Sequence, residues 1–111
     1  MTFFSGSVMK VPEIMEKIAE KVRKMAGLNY LPVSEANFGI KTDVMLSEEQ
    51  FNELIDMLKS EGFRLSDKIP SAEGDVLEFY ENGDTHELVA IDYVKGEKYL
   101  IGDILYYWRG Q

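Results

Sequence analysis

The chain contains no cysteine, which removes disulfides, thiolate metal sites and cysteine nucleophiles from consideration together. Its single histidine, His86, gives no clustered zinc site and would have to carry any imidazole chemistry alone. No apolar run approaches the roughly 18 residues that a bilayer span needs. Residues 1–6 have neither the basic start nor the long apolar stretch of a secretory signal. A soluble, cytoplasmic protein without a membrane partner is expected. Positive charge is scarce too: 12 Lys and Arg stand against 20 Asp and Glu, for a formal net charge of −8. A phosphate backbone wants a basic face, so nucleic acid is not expected as a partner. Lys17, Lys21, Arg23 and Lys24 do gather, but Glu13, Glu16 and Glu20 are interleaved with them. Glu13–Lys17 and Glu20–Lys24 fall at the i,i+4 spacing of a solvated helix.

What is present is enough for one domain. With 111 residues and 45% hydrophobic content, the chain can bury a substantial core. Glu and Lys outnumber Asn and Gln, a balance that suits a thermophile, although six Met run against it. Residues 3–11 read as a short strand or an arm. Pro12 suits the first position of a helix, Ile14, Ile18, Val22 and Met25 repeat along one face, and Gly27 is placed to stop it. Leu28 to Val33 reads as a short strand and 34–37 as a polar connection. Phe38 to Leu46 then reads as a second strand. Ser47-Glu48-Glu49-Gln50 matches a capping box, and Phe51, Leu54, Ile55 and Leu58 form the apolar stripe of the helix it opens. Gly62 marks that helix's end, Phe63 begins an extended segment, and 66–74 has the composition of a long loop.

Downstream the pattern is that of strands. Asn82-Gly83 favours a two-residue hairpin loop, because both central positions of a type I′ turn need positive φ. Leu88-Val89-Ala90-Ile91 is apolar on both faces, the mark of a central strand. Residues 95–98 form a further turn. Beyond Tyr99–Ile101, Asp103 could cap a short helix carrying Ile104, Leu105 and Trp108, or the aromatic content could continue a strand. The expected class is α+β: two helices on one face of a mixed, mostly antiparallel sheet, in the order αββα, then a β-hairpin and a short C-terminal element.

A two-residue loop at Asn82-Gly83 would set Glu81 against Asp84, Tyr80 against Thr85, Phe79 against His86 and Glu78 against Glu87. Like charges directly opposite across a sheet cost up to about 1 kcal/mol per pair. Compensation would come from a neighbouring cation, from a longer loop with a different register, or from a bound divalent cation. His86 would point away from Glu87 and reads as a structural or solvent-facing side chain. Asp92 would share its face, but six residues along a strand is about 20 Å, too far for a dyad.

Lys41-Thr42-Asp43-Val44-Met45-Leu46, the helix closing on Gly62-Phe63, and Glu81 to Val89 together resemble small members of the nucleotidyltransferase superfamily, over roughly residues 28–93. The resemblance implies a nucleotide held with Mg²⁺ by carboxylates, with Asp43 matching the first and Glu87 the third; Glu78 joins them as a candidate ligand. Met45 stands where the second acid belongs, and a thioether is no ligand for a hard cation. The Gly-rich turn expected upstream is replaced by Leu31-Pro32-Val33-Ser34-Glu35. A degenerate or weakly active member is what this pattern implies. The residues by themselves point elsewhere, since no complete catalytic constellation is present. They suggest a small non-catalytic binding or assembly domain without a cofactor, holding a protein partner or itself. Tyr106, Tyr107 and Trp108 are its candidate interface, because such side chains bury large area and still satisfy a polar tip.

Overall fold

The computed structural model describes residues 10–110. The strand or arm expected over residues 3–11 falls, apart from Lys10 and Val11, outside them. Helix α1 spans Glu13–Ala26 and α2 spans Glu48–Ser60. Six strands follow the chain as β1 (Ile40–Lys41), β2 (Met45–Leu46), β3 (Arg64–Pro70), β4 (Asp75–Asn82), β5 (Glu87–Lys95) and β6 (Tyr99–Trp108). They form one sheet in the order β1-β6-β5-β4-β3, with β2 also on β6. Every ladder is antiparallel. The fold is α+β.

Local signals set the helices. Pro12 is the cap before α1 rather than its first residue, and Gly27 closes the helix at φ +69. The capping box of α2 is complete: Gln50 N donates to Ser47 Oγ at 3.1 Å, and Ser47 N donates to Gln50 Oε1 at 3.0 Å. Lys24 pairs with Glu20 as spaced, whereas Lys17 reaches across to Glu61, the residue that caps the C-terminus of α2, at 3.0 Å. The stripe Ile14, Ile18, Val22 packs with Phe51, Leu54 and Leu58 over the sheet positions Ile40, Val89, Ile91, Ile101 and Ile104. Both helices lie on this one face.

Three segments differ from what the sequence suggests, and a fourth decides between two readings the sequence leaves open. Leu28–Val33 forms no strand; its apolar residues pack on the core, and the sheet edge beside β6 is taken by β1 and β2. The expected strand over 38–46 breaks into two, because Thr42 Oγ1 accepts from Val44 N at 3.2 Å and turns the chain locally. The presumed loop over 66–74 is strand as far as Pro70, exposed on both sides at the sheet edge and polar for that reason. Residues 102–108 continue β6 as strand, since the ladder Ala90↔Leu105 and Ile91↔Ile104 satisfies the backbone of central β5.

The hairpin register also differs. Asn82 pairs with Glu87, so the loop is the four residues 83–86, and His86 rather than Asn82 takes positive φ, at +64. The cause is the Asn82 side chain. Its carbonyl accepts from Asp84 N at 2.9 Å and Thr85 N at 3.2 Å, while its amide donates to the Glu61 carbonyl at 3.1 Å. Asn82 therefore organises the loop from the strand end instead of occupying its centre. Glu78 stands across from Ile91 and Glu81 from Leu88, which removes both like-charge pairs.

Candidate functional site

The carboxylates singled out as a cation site do not converge. Asp43 lies beside Gly102, where Thr42 N donates to the Gly102 carbonyl and Ile101 N to the Val44 carbonyl, both at 2.9 Å. Glu87 pairs with Trp108. Six residues of β6 separate these points, about 20 Å. Glu78 lies four residues along β4 from the partner of Glu87, about 13 Å away by the same rise. Among the described residues no group of three or more His, Cys, Asp or Glu could hold a metal ion.

Each of these acids has an internal task or none. Glu78 is buried on the helix side and accepts from the Tyr80 and Tyr93 hydroxyls, both at 2.5 Å, with Lys68 Nζ at 3.9 Å. Burial, and then the hydrogen bond to Glu78, push both phenols above their ordinary pKa. Glu87 accepts from Thr85 Oγ1 at 2.8 Å and from the Tyr106 hydroxyl at 2.7 Å, tying the hairpin loop to β6. Burial followed by that bond raises the Tyr106 phenol likewise. Asp43 is exposed on the short segment between β1 and β2.

The three aromatic residues proposed as an interface point in different directions. Tyr106 turns inward, its ring edge-on to Phe38 at 6.0 Å. Trp108 lies on the same side but is 64% exposed, its indole N–H donating to the Thr85 carbonyl at 3.0 Å. Tyr107, half exposed, is the one on the opposite face of the sheet, across from Leu88.

That opposite face is the feature the sequence reading missed. Strand alternation places Leu77 and Phe79 of β4, Leu88 and Ala90 of β5, and Leu105 of β6 away from both helices, and none joins the helix-side core. Ala90 is fully screened from water by its neighbours on this face, with no helix above it. Around this centre Ile69 is 48% exposed, and Val94 and Leu100 are 38% exposed. A shallow hollow of about 340 Å³ opens at one end between Ile69, Phe79 and Leu88. A cleft of about 330 Å³ opens at the other, between Leu105, Lys41 and Pro32. The signal was present in Leu88-Val89-Ala90-Ile91. A strand apolar on both sides asks for cover on both sides, and the described residues supply one.

One carboxylate stands among the apolar residues of this face, while Asp67, Asp75 and Asp103 also project on its side. Asp92 projects from central β5, across from Leu77 and between Ala90 and Val94 on its own strand. Two residues of β6, Gly102 and Asp103, oppose it in a bulge. Burial first, then the charges of Asp75 and Asp103, raise its pKa. No cation of the described residues pairs with it.

No helix of the described residues is long and apolar enough to cross a membrane. No protein-family model matches the chain, and no curated protein or solved structure matches it significantly.

Proposed function

We propose that this chain is a small non-catalytic protein-docking domain, with the helix-free face of its sheet as the docking surface and another protein as its partner. The observation that carries the reading is the apolar centre formed by Leu77, Phe79, Leu88 and Leu105 on a face that nothing in the described chain covers. An antiparallel sheet with one solvated face normally alternates apolar inward and polar outward. Here β4, β5 and β6 also carry apolar side chains on the helix-free side. Five strands at about 4.8 Å spacing and some seven residues at about 3.3 Å give a face on the order of 500 Å² in flat projection. That area includes the charged margin of the face; contiguous apolar patches of a few hundred Å² on soluble proteins often mark interaction sites, and a standard interface takes about 800 Å² per partner.

The sheet edges support the same reading, because they are closed to strand addition. Strand β3 carries a bulge at Ser66, the charges of Asp67 and Lys68, and Pro70 at its end. The opposite edge consists of two strands of two residues each. These devices discourage pairing with another chain. The nucleotide-and-Mg²⁺ alternative draws no support from the geometry, given the distance between Asp43 and Glu87.

The test is affinity capture with the intact chain, its Leu100→Glu variant and its Glu49→Gln variant, the last altered on the helix side. A partner retained by the chain and by Glu49→Gln but lost by Leu100→Glu, with amide-exchange protection over β4–β6 in the complex, is the expected result. Protection confined to α1 and α2 would overturn the reading.

A further inference from the structure

Resting on the docking reading, we infer that the occupant of the open face is an amphipathic α-helix of the partner, with its apolar stripe on Leu77, Phe79, Leu88 and Leu105 and a Lys or Arg side chain seated on Asp92.

Shape comes first. The face is about 24 Å across its five strands, the length of about 16 residues of α-helix, so one short helix can cross it. The opposite side of the same sheet is already covered in this way, with α1 and α2 laying apolar stripes on it. Covering the second face with helix would complete a three-layer arrangement from the same packing elements. An extended strand is the poorer candidate, since its backbone groups would find no partners on a face and both edges are blocked.

Charge then chooses among helices. Asp92 is a carboxylate set within apolar neighbours, and Asp67, Asp75 and Asp103 project on the same side. None of the described cations of this side pairs with Asp92. Lys41 lies 3.9 Å from Asp103, and Arg109 bonds Glu81 at 2.7 Å. Arg64 donates to the carbonyls of Lys59 and Phe63. A second copy of this chain would bring carboxylates against carboxylates, a juxtaposition that interfaces avoid. A helix with Lys or Arg flanking an apolar stripe meets both demands at once. Asp92 is the informative residue, because a charge partly removed from water and left unpaired costs the isolated domain stability. That cost is offset when a cation arrives with the partner, and functional surfaces tolerate such costs where packing positions do not.

Fluorescence anisotropy with a labelled 18-residue peptide of repeating Leu-Lys-Lys-Leu-Leu-Lys-Leu, and with its Glu-for-Lys counterpart, tests the inference. The lysine peptide should bind the intact chain as a helix by circular dichroism, and the glutamate peptide should not. Asp92→Asn should weaken binding about tenfold, the size of one charge-assisted hydrogen bond, and Leu100→Glu should weaken it further. Glu49→Gln, which removes one charge from the helix side, should leave it unchanged. Equal affinity for the chain and for Asp92→Asn, with loss in Leu100→Glu, would overturn the basic helix while leaving the docking face intact. Equal affinity for all four proteins, or no binding, would overturn the inference outright. A concentration-dependent dimer in sedimentation that Leu100→Glu dissociates would also overturn it, because a second copy would then be the occupant.

Discussion

Asp92 stands directly across the β4–β5 ladder from Leu77, a carboxylate opposed to an aliphatic side chain on the face of the sheet that neither described helix covers. Cross-strand partners normally match in polarity, so the pair marks a place where the isolated fold is not at its own optimum.

The first prediction follows from the direction of the Asp92 shift. Its folded-state pKa is raised, so the native state holds a proton that the unfolded state has released, and stability falls as pH rises through that window. The groups facing it are Asp75 on β4, Asp103 on β6 and, through Asp103, Lys41. Asp92→Asn should raise the melting temperature at pH 7. The difference should shrink towards zero as pH falls through the carboxylate range, where the native side chain is already neutral. Thermal unfolding at a series of pH values reads it directly; a gain that persists unchanged in acid would assign the effect to packing instead.

Both oxygens of the Glu78 carboxylate accept a phenolic hydrogen bond. Tyr93→Phe removes one of two phenolic donors from a buried charged acceptor and should cost about 1.5–3 kcal/mol. Tyr80→Phe should cost a similar amount, and the double variant should cost more than the sum, since the buried acid then keeps only Lys68 at 3.9 Å. Urea unfolding with an unchanged m-value is the measurement. Additive losses would show that the two bonds are independent.

The same tyrosines predict an alkaline limit. Tyr80, Tyr93 and Tyr106 have raised phenol pKa values, from burial and then from the carboxylates beside them. Their contribution to stability is complete below the unfolded phenol value near 10 and is lost as pH rises above it, because only the unfolded chain ionises. Absorbance of phenolate should therefore show these groups appearing together with loss of circular dichroism rather than ahead of it. Full ionisation of every tyrosine in a still-folded protein would count against the arrangement.

Asn82 and Gly62 form one more testable unit. A Cβ at Gly62 would meet Asn82 Nδ2 at 2.9 Å, and Gly62 has φ +97, so Gly62→Ala carries both a clash and backbone strain. Asn82→Ala leaves the amides of Asp84 and Thr85 without their acceptor and should cost about 1–3 kcal/mol. Gly83→Ala, with nothing within 4 Å of its added Cβ, should cost much less. Chemical denaturation of the three variants gives the order; equal losses would restore the two-residue turn that the sequence suggests.

By itself the sequence determined what is local. Gly27, the Ser47–Gln50 box and the two apolar stripes place both helices, because capping and i,i+4 burial depend on residues within a turn or two of one another. The apolar run at 88–91 likewise made β5 central. What only the tertiary structure decided is what needs a distant partner. Polar Ser66, Asp67 and Lys68 become strand because β4 offers its edge, and Ile104 and Leu105 become strand because β5 needs a second neighbour. Asn82 leaves the turn centre because the Glu61 carbonyl lies within its reach. Glu78 and Glu87 turn from candidate ligands into internal acceptors once the register brings Tyr80, Tyr93 and Tyr106 to them. The open face with Asp92 in it is the extreme case. Alternation along each strand is visible in one dimension, but which side the helices leave bare depends on how the whole chain packs.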